Sequence, residues 1–176
     1  MASILNVDQI GHSTTGTTGL EIDSSGQVLL SAIPFMKMKL GTSVIISTTT
    51  SGTTTPYDNV ISSRGITLNT STHKFQVPVT GLYHFSGAVR LNSSTADYIW
   101  WTVGDSSGTP LQTDQLVLAN YRSPVSNFST CAGSLLQPLT ASTDYQVLVG
   151  VSSAAAGTQY VSPNQTWMDI YLVGGN

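Results

Sequence analysis

Residues 82–91 constrain the fold more than any other stretch of this chain. They alternate so that Tyr83, Phe85, Gly87, Val89 and Leu91 share one face, while His84, Ser86, Ala88 and Arg90 share the other. A period of two over ten residues belongs to a long β-strand with a buried side and an outer side. Just upstream, Pro78 ends a strand and Gly81 serves a tight turn, so that Phe75 and the Tyr83–Phe85 pair return toward one core. Phe75, Gly81, Tyr83, Phe85, Val89 and Leu91 are therefore the expected structural core.

The rest of the chain agrees. Only 9% of its 176 residues are charged, where an ordinary soluble protein has about a quarter. The missing polarity is supplied by 24 Ser and 24 Thr. Thr packs well on a pleated surface, whereas helix surfaces normally carry Glu, Lys, Arg and Gln. So few charges also leave little to keep separate copies apart, which points to burial of surface against other copies or against a scaffold.

Candidate strands are 34–40, 43–47, 57–61, 66–69, 73–78, 81–91, 97–103, 114–120, 124–136, 144–151 and 165–173, with no convincing 3.6-residue period anywhere. This many short strands in one domain predicts an all-β, two-sheet antiparallel sandwich. Within 145–151, Tyr145, Val147, Val149 and Val151 alternate with Gln146, Leu148 and Gly150, so that strand is buried on both sides or packs on a neighbouring subunit. Ser/Thr/Gly/Ala-rich loops are expected at 50–56, 92–96, 104–110 and 152–164.

The domain boundary falls near residue 32. Before it, residues 11–19 contain no apolar side chain and read as a flexible linker or a repeat turn. Leu20–Ile22 and Val28–Leu30 flank a turn and predict a hairpin. Residues 1–32 thus form a short extended N-terminal β-arm, and 33–176 the head.

At Phe75, Gly81, Tyr83 and Phe85 the chain resembles the globular heads of complement component one, subunit q, and the related tumour necrosis factor-like jelly rolls. Pro34–Leu40 resembles that family's first strand, Leu139–Val147 its penultimate segment and Met168–Val173 its closing strand. The resemblance spans roughly 33–173 and implies that the two-sheet antiparallel sandwich is a jelly-roll head and that the protein is a homotrimer. Gly87, Tyr57 and Arg64 depart from the pattern, as in a divergent member or a convergent viral relative. The arm, with Ile4, Leu5, Val7 and Ile10 followed by Thr-Gly-rich turns, resembles the β-repeats of bacteriophage tail and capsid fibres. That resemblance implies attachment to other virion proteins through those four residues.

Chemistry for catalysis is not legible. Glu21 is the sole glutamate and lies in the arm, so no paired glutamates are available for glycoside hydrolysis. No nucleophile-elbow motif accompanies the three histidines, and no enzyme activity or cofactor is expected. Cys131 is alone and reads as a small buried hydrophobe, which excludes an intrachain disulfide. Asp58, Asn59 and Asp97 are weak candidates for calcium, with turn capping as the alternative. His84 reads as a sheet or interface histidine, while His12 and His73 read as solvated. Trp100 and Trp101 are consecutive, so one faces inward and the other outward, where it packs at an interface or stacks on a glycan. Four Asn-x-Ser/Thr sequons, at Asn69, Asn92, Asn127 and Asn164, follow from the Ser/Thr content.

A net charge of −3 with six scattered cations disfavours nucleic acid. The lack of a signal peptide or a long apolar run predicts synthesis in a host cytoplasm, without membrane insertion. The combined expectation is a trimeric structural protein on the virion surface of a bacteriophage, either a capsid-decorating or head-fibre protein or a tail-fibre subunit. A dedicated module for a host surface glycan or receptor is the alternative.

Overall fold

A computed structural model describes residues 9–11, 18–22, 28–29, 33–46, 52–92, 99–112, 117–119, 128–151, 159–161, 163, 165–175. The chain divides into two compact units, Met1–Ile33 and Pro34–Asn176. In the first, β1 (Gln9–Gly11), β2 (Thr18–Ile22) and β3 (Val28–Leu29) form an antiparallel meander. Gly11 pairs with Thr18 and Ile10 with Leu20, so both ends of the polar stretch at 11–19 belong to strands, and residues 12–17 between them lie outside the described residues. Ile4, Leu5 and Val7 lie outside the described residues, as does the side chain of Ile10.

The second unit contains β4 (Phe35–Leu40), β5 (Val44–Ile46), β6 (Thr53–Thr54), β7 (Tyr57–Arg64), β8 (Thr67–Asn69), β9 (Lys74–Gln76), β10 (Gly81–Asn92), β11 (Ile99–Asp105), β12 (Val117–Ala119), β13 (Phe128–Leu139), β14 (Tyr145–Val151), β15 (Gln159–Val161) and β16 (Trp167–Gly175). One sheet has the order β5-β15-β10-β16-β4-β7, with β13 along the free side of β10, and the other the order β12-β11-β14-β9-β8, with β6 beside β14. All the ladders are antiparallel, and the two sheets enclose one core, as in a jelly roll.

That core holds the inward side of β10. Tyr83, Phe85 and Val89 are fully buried there, with Phe75 from β9, Trp101 and Val103 from β11, and Met168 and Ile170 from β16. The Phe75 ring stands 5.9 Å from that of Phe85 and 6.0 Å from that of Tyr145, tying the two sheets together through aromatic contact. Gly87 is needed on this face because a Cβ there would stand 2.7 Å from both the Met168 Cε and the Trp167 carbonyl. Gly81 is the first residue of β10, opposite Leu139 and Gly175. The turn lies just before it, where the Tyr83 hydroxyl donates to the Val79 carbonyl at 2.8 Å. The Leu91 side chain lies outside the described residues.

Several boundaries differ from the sequence expectation. β13 continues to Leu139 through Pro138, because it pairs with β10 alone and its outer edge asks for no N–H. β6 and β15 fall within stretches expected to be loops, and β11 runs on through Gly104 and Asp105. These short pieces are held by neighbours distant in sequence, not by any pattern of their own.

Candidate assembly face

The outer faces of the two sheets are unlike each other. On the outer face of the second sheet, Trp100, Thr102, Gln146 and Leu148 are all buried within the single chain. Glycines make the space: a Cβ on Gly52 would lie 2.6 Å from the Trp100 ring, one on Gly150 would lie 2.7 Å from its Nε1, and one on Gly104 would lie 2.9 Å from Leu148 Cγ. Gln146 takes a hydrogen bond from the Thr54 hydroxyl and donates to the Asp105 carbonyl at 2.7 Å. β14 is therefore buried on both sides by its own chain, and neither indole is offered to a glycan. Trp101 is in the core, and Trp100, on the outward side, is only 4% exposed, so neither is the outward contact expected of one of the pair.

On the first sheet the outer residues line up in rows across five strands. One row runs Arg64 (β7), Phe35 (β4), Tyr171 (β16), His84 (β10), Leu136 (β13). The Arg64 guanidinium lies 5.5 Å from the centre of the Phe35 ring, and the His84 imidazole lies 4.8 Å from the Tyr171 ring at 35°. Tyr171, Leu136 and Val173 are 42%, 45% and 54% exposed. Such a strip of apolar and aromatic surface is the kind of patch that marks an interaction site.

The next row is polar: Ser62, Lys37, Asp169, Ser86, Ser134. Lys37 Nζ lies 3.7 Å from Asp169 Oδ2 and 5.7 Å from the centre of the Trp167 ring. Asp169 Oδ1 and His84 Nδ1 are both shut off from water without a partner. The strand registers place Lys37, Lys39, Arg64 and Arg90 on this one face. Cations scattered along the chain thus share one face of the sheet, spread over β7, β4 and β10, with β16 between β4 and β10.

The other sequence candidates have structural roles. Asp58 Oδ1 accepts the Gly41 N–H at 2.6 Å and its other oxygen the Thr42 hydroxyl at 3.4 Å, which caps the turn after β4. Asn59 is exposed beside Lys39, and Asp97 lies outside the described residues. His73, expected to be solvated, is half-buried with Nδ1 3.3 Å from the Tyr57 carbonyl, and its φ of 58° closes the turn that Asn69 caps. Cys131 is buried, its thiol donating to the Val117 carbonyl at 3.1 Å. Among the described residues no three His, Cys, Asp or Glu side chains converge as a metal site would require. No helix among them is long and apolar enough to cross a membrane.

The sequence matches no protein family and no curated protein. Solved structures do match. Eiger TNF from S. frugiperda aligns with 82% of this chain and 94% of its own, at a TM-score of 0.57 and 15% identity. Murine APRIL aligns with 80% of this chain and 99% of its own, at 0.52 and 15%. The globular domain of zebrafish Complement 1qA protein aligns with 81% and 99%, at 0.54 and 11%. At such identities the likeness carries fold and nothing finer, and with the strand order above it establishes that this chain has the jelly-roll fold of the tumour necrosis factor-like and complement 1q-like proteins.

Proposed function

We propose that this chain is a non-catalytic, homotrimeric structural protein that assembles through the outer face of the β13-β10-β16-β4-β7 sheet. The observation that carries this reading is the exposed row Phe35–Tyr171–His84–Leu136, with Val173 nearby, set against a second sheet whose outer face is already closed within one chain. A closed ring of three uses a heterologous contact, in which two different patches meet. Val60 and Ile61, on β7 at the end of the same sheet's strand order, are also exposed apolar side chains. The low charge content and the trimer implied by the resemblance at Phe75, Gly81, Tyr83 and Phe85 favour the same reading.

The particle we propose is a bacteriophage virion, with the protein on its surface as a capsid-decorating, head-fibre or tail-fibre subunit. Support comes from the arm, whose sequence resembles fibre β-repeats and whose strands form a small meander. In this reading the arm docks on other virion proteins and the head stabilises the particle or meets the host surface. The test is deletion of residues 1–32. The truncated head should remain trimeric and folded but be absent from particles purified after complementation; normal occupancy would remove the arm as the anchor.

A further inference from the structure

The first sheet leaves its two long edges open in different ways. β7 ends the strand order on one side, and its residues from Asn59 to Arg64 are exposed on both faces. Among them Val60 and Ile61 hold apolar side chains in solvent, at 39% and 50% exposure. The ladder from β7 to β4 shifts register at Ile61 and again at Asp58, so each of these is an extra residue pushed out of the pairing. Bulges of this kind keep a further strand from adding to an edge as a regular ladder. A partner that covers β7 therefore packs against its side chains.

β13, at the other edge, is the converse. Among the described residues it pairs with β10 alone, and Ala132, Gly133 and Ser134 at its middle are all exposed. Ser134 and Ala132 lie across from Ser86 and Ala88 on β10, which makes a floor of small, uncharged side chains beside the larger Leu136 and His84. One edge protrudes and the other is hollow. Register sets both at one level, since Val60, Met38, Met168, Gly87 and Gly133 are successive partners across the five strands.

We infer that each copy seats the Val60–Ile61 bulge of its β7 in the β10–β13 hollow of the next copy, and that this heterologous contact closes the ring. The inference rests on the assembly reading above and names the two patches that meet. Rotation about an axis running along the strands leaves height unchanged, so patches that touch around such a ring stand at the same level, as these do. The contact brings no ionised group into the hollow: Asp58, the acid on β7, has its carboxylate at the Gly41 N–H and the Thr42 hydroxyl. Burial of Val60 and Ile61 then removes apolar surface from water at every one of the contacts.

The test is cross-linking of the full chain carrying both Ile61→Cys and Ser134→Cys, at micromolar concentration, with a bismaleimide too short to join the two positions within one chain. Four interstrand steps of about 4.8 Å separate them there, about 19 Å in all. The double variant should give a covalent three-chain band on a denaturing gel, and each single variant none above the parent, whose Cys131 is buried. Cross-linked pairs from Ile61→Cys alone or Ser134→Cys alone would mean that like edges meet, and would overturn the contact. Ser134→Trp fills the hollow at a position exposed in the single chain; it should keep the parent's circular dichroism and lose the three-chain species in sedimentation velocity. A folded Ser134→Trp variant that stays trimeric, or a double variant that sediments as a trimer without cross-linking, overturns the contact and leaves the assembly reading standing. A parent chain that sediments as a monomer overturns both readings.

Discussion

Trp100 lies directly over Gly150, its partner on the neighbouring strand, so closely that a Cβ on the glycine would stand 2.7 Å from the indole Nε1. An aromatic ring covering a strand glycine closes the outer side of β14 without help from another chain. Gly150→Ala should therefore cost about 1–3 kcal/mol, as overpacking does, measured by chemical denaturation. An unchanged midpoint would show that the ring moves freely and that this face is not closed.

Phe85 is fully buried between the sheets, in ring contact with Phe75. Phe85→Ala should cost about 3–5 kcal/mol, the usual penalty for truncating a large core side chain, and should impair folding of the head as a whole. A variant with the parent's thermal stability would contradict the position given to β10.

The Asp105 carboxylate is held below the ordinary carboxylate range, chiefly by the Ser107 hydroxyl and then by the Thr109 N–H, within the turn after β11. A lowered value means that the turn's contribution is present at neutral pH. It is lost as the pH falls below about 4 and through that lowered value. Asp105→Asn should flatten the dependence of stability on pH in that acid range and leave the slope near neutrality unchanged. A slope identical to the parent's below pH 4 would contradict this role.

Burial pushes the Cys131 thiol up to about 12. The thiolate is the reactive form, so a thiol reagent at pH 8 should label the native protein far more slowly than the denatured chain. Equal rates would place Cys131 at the surface.

Much of this fold is legible in local pattern. The alternation through Tyr83, Phe85 and Val89 marks the inward side of β10, because burial on one side of a strand writes a period of two into the sequence. β6 and β15 are not legible. Thr53–Thr54 and Gln159–Val161 have no pattern long enough to read, and exist as strands because Leu148 and Val44 lie beside them. Trp100 illustrates the same limit: alternation puts it opposite Trp101, but the glycines that let it be buried come from elsewhere in the chain. The assembly face is harder still. Arg64, Phe35, Tyr171, His84 and Leu136 come from five separate strands, and no local signal announces that they form one row.

That row is the central claim, and its most direct test is the mass of the protein in solution at pH 8, with and without Leu136→Glu. Leu136 is 45% exposed on β13, so the substitution is compatible with the folded chain, which circular dichroism would verify. Light scattering at micromolar concentration should give three times 18.6 kDa for the parent and 18.6 kDa for the variant. A monomeric parent, or a folded Leu136→Glu variant that keeps the trimer's mass, would contradict assembly through this face.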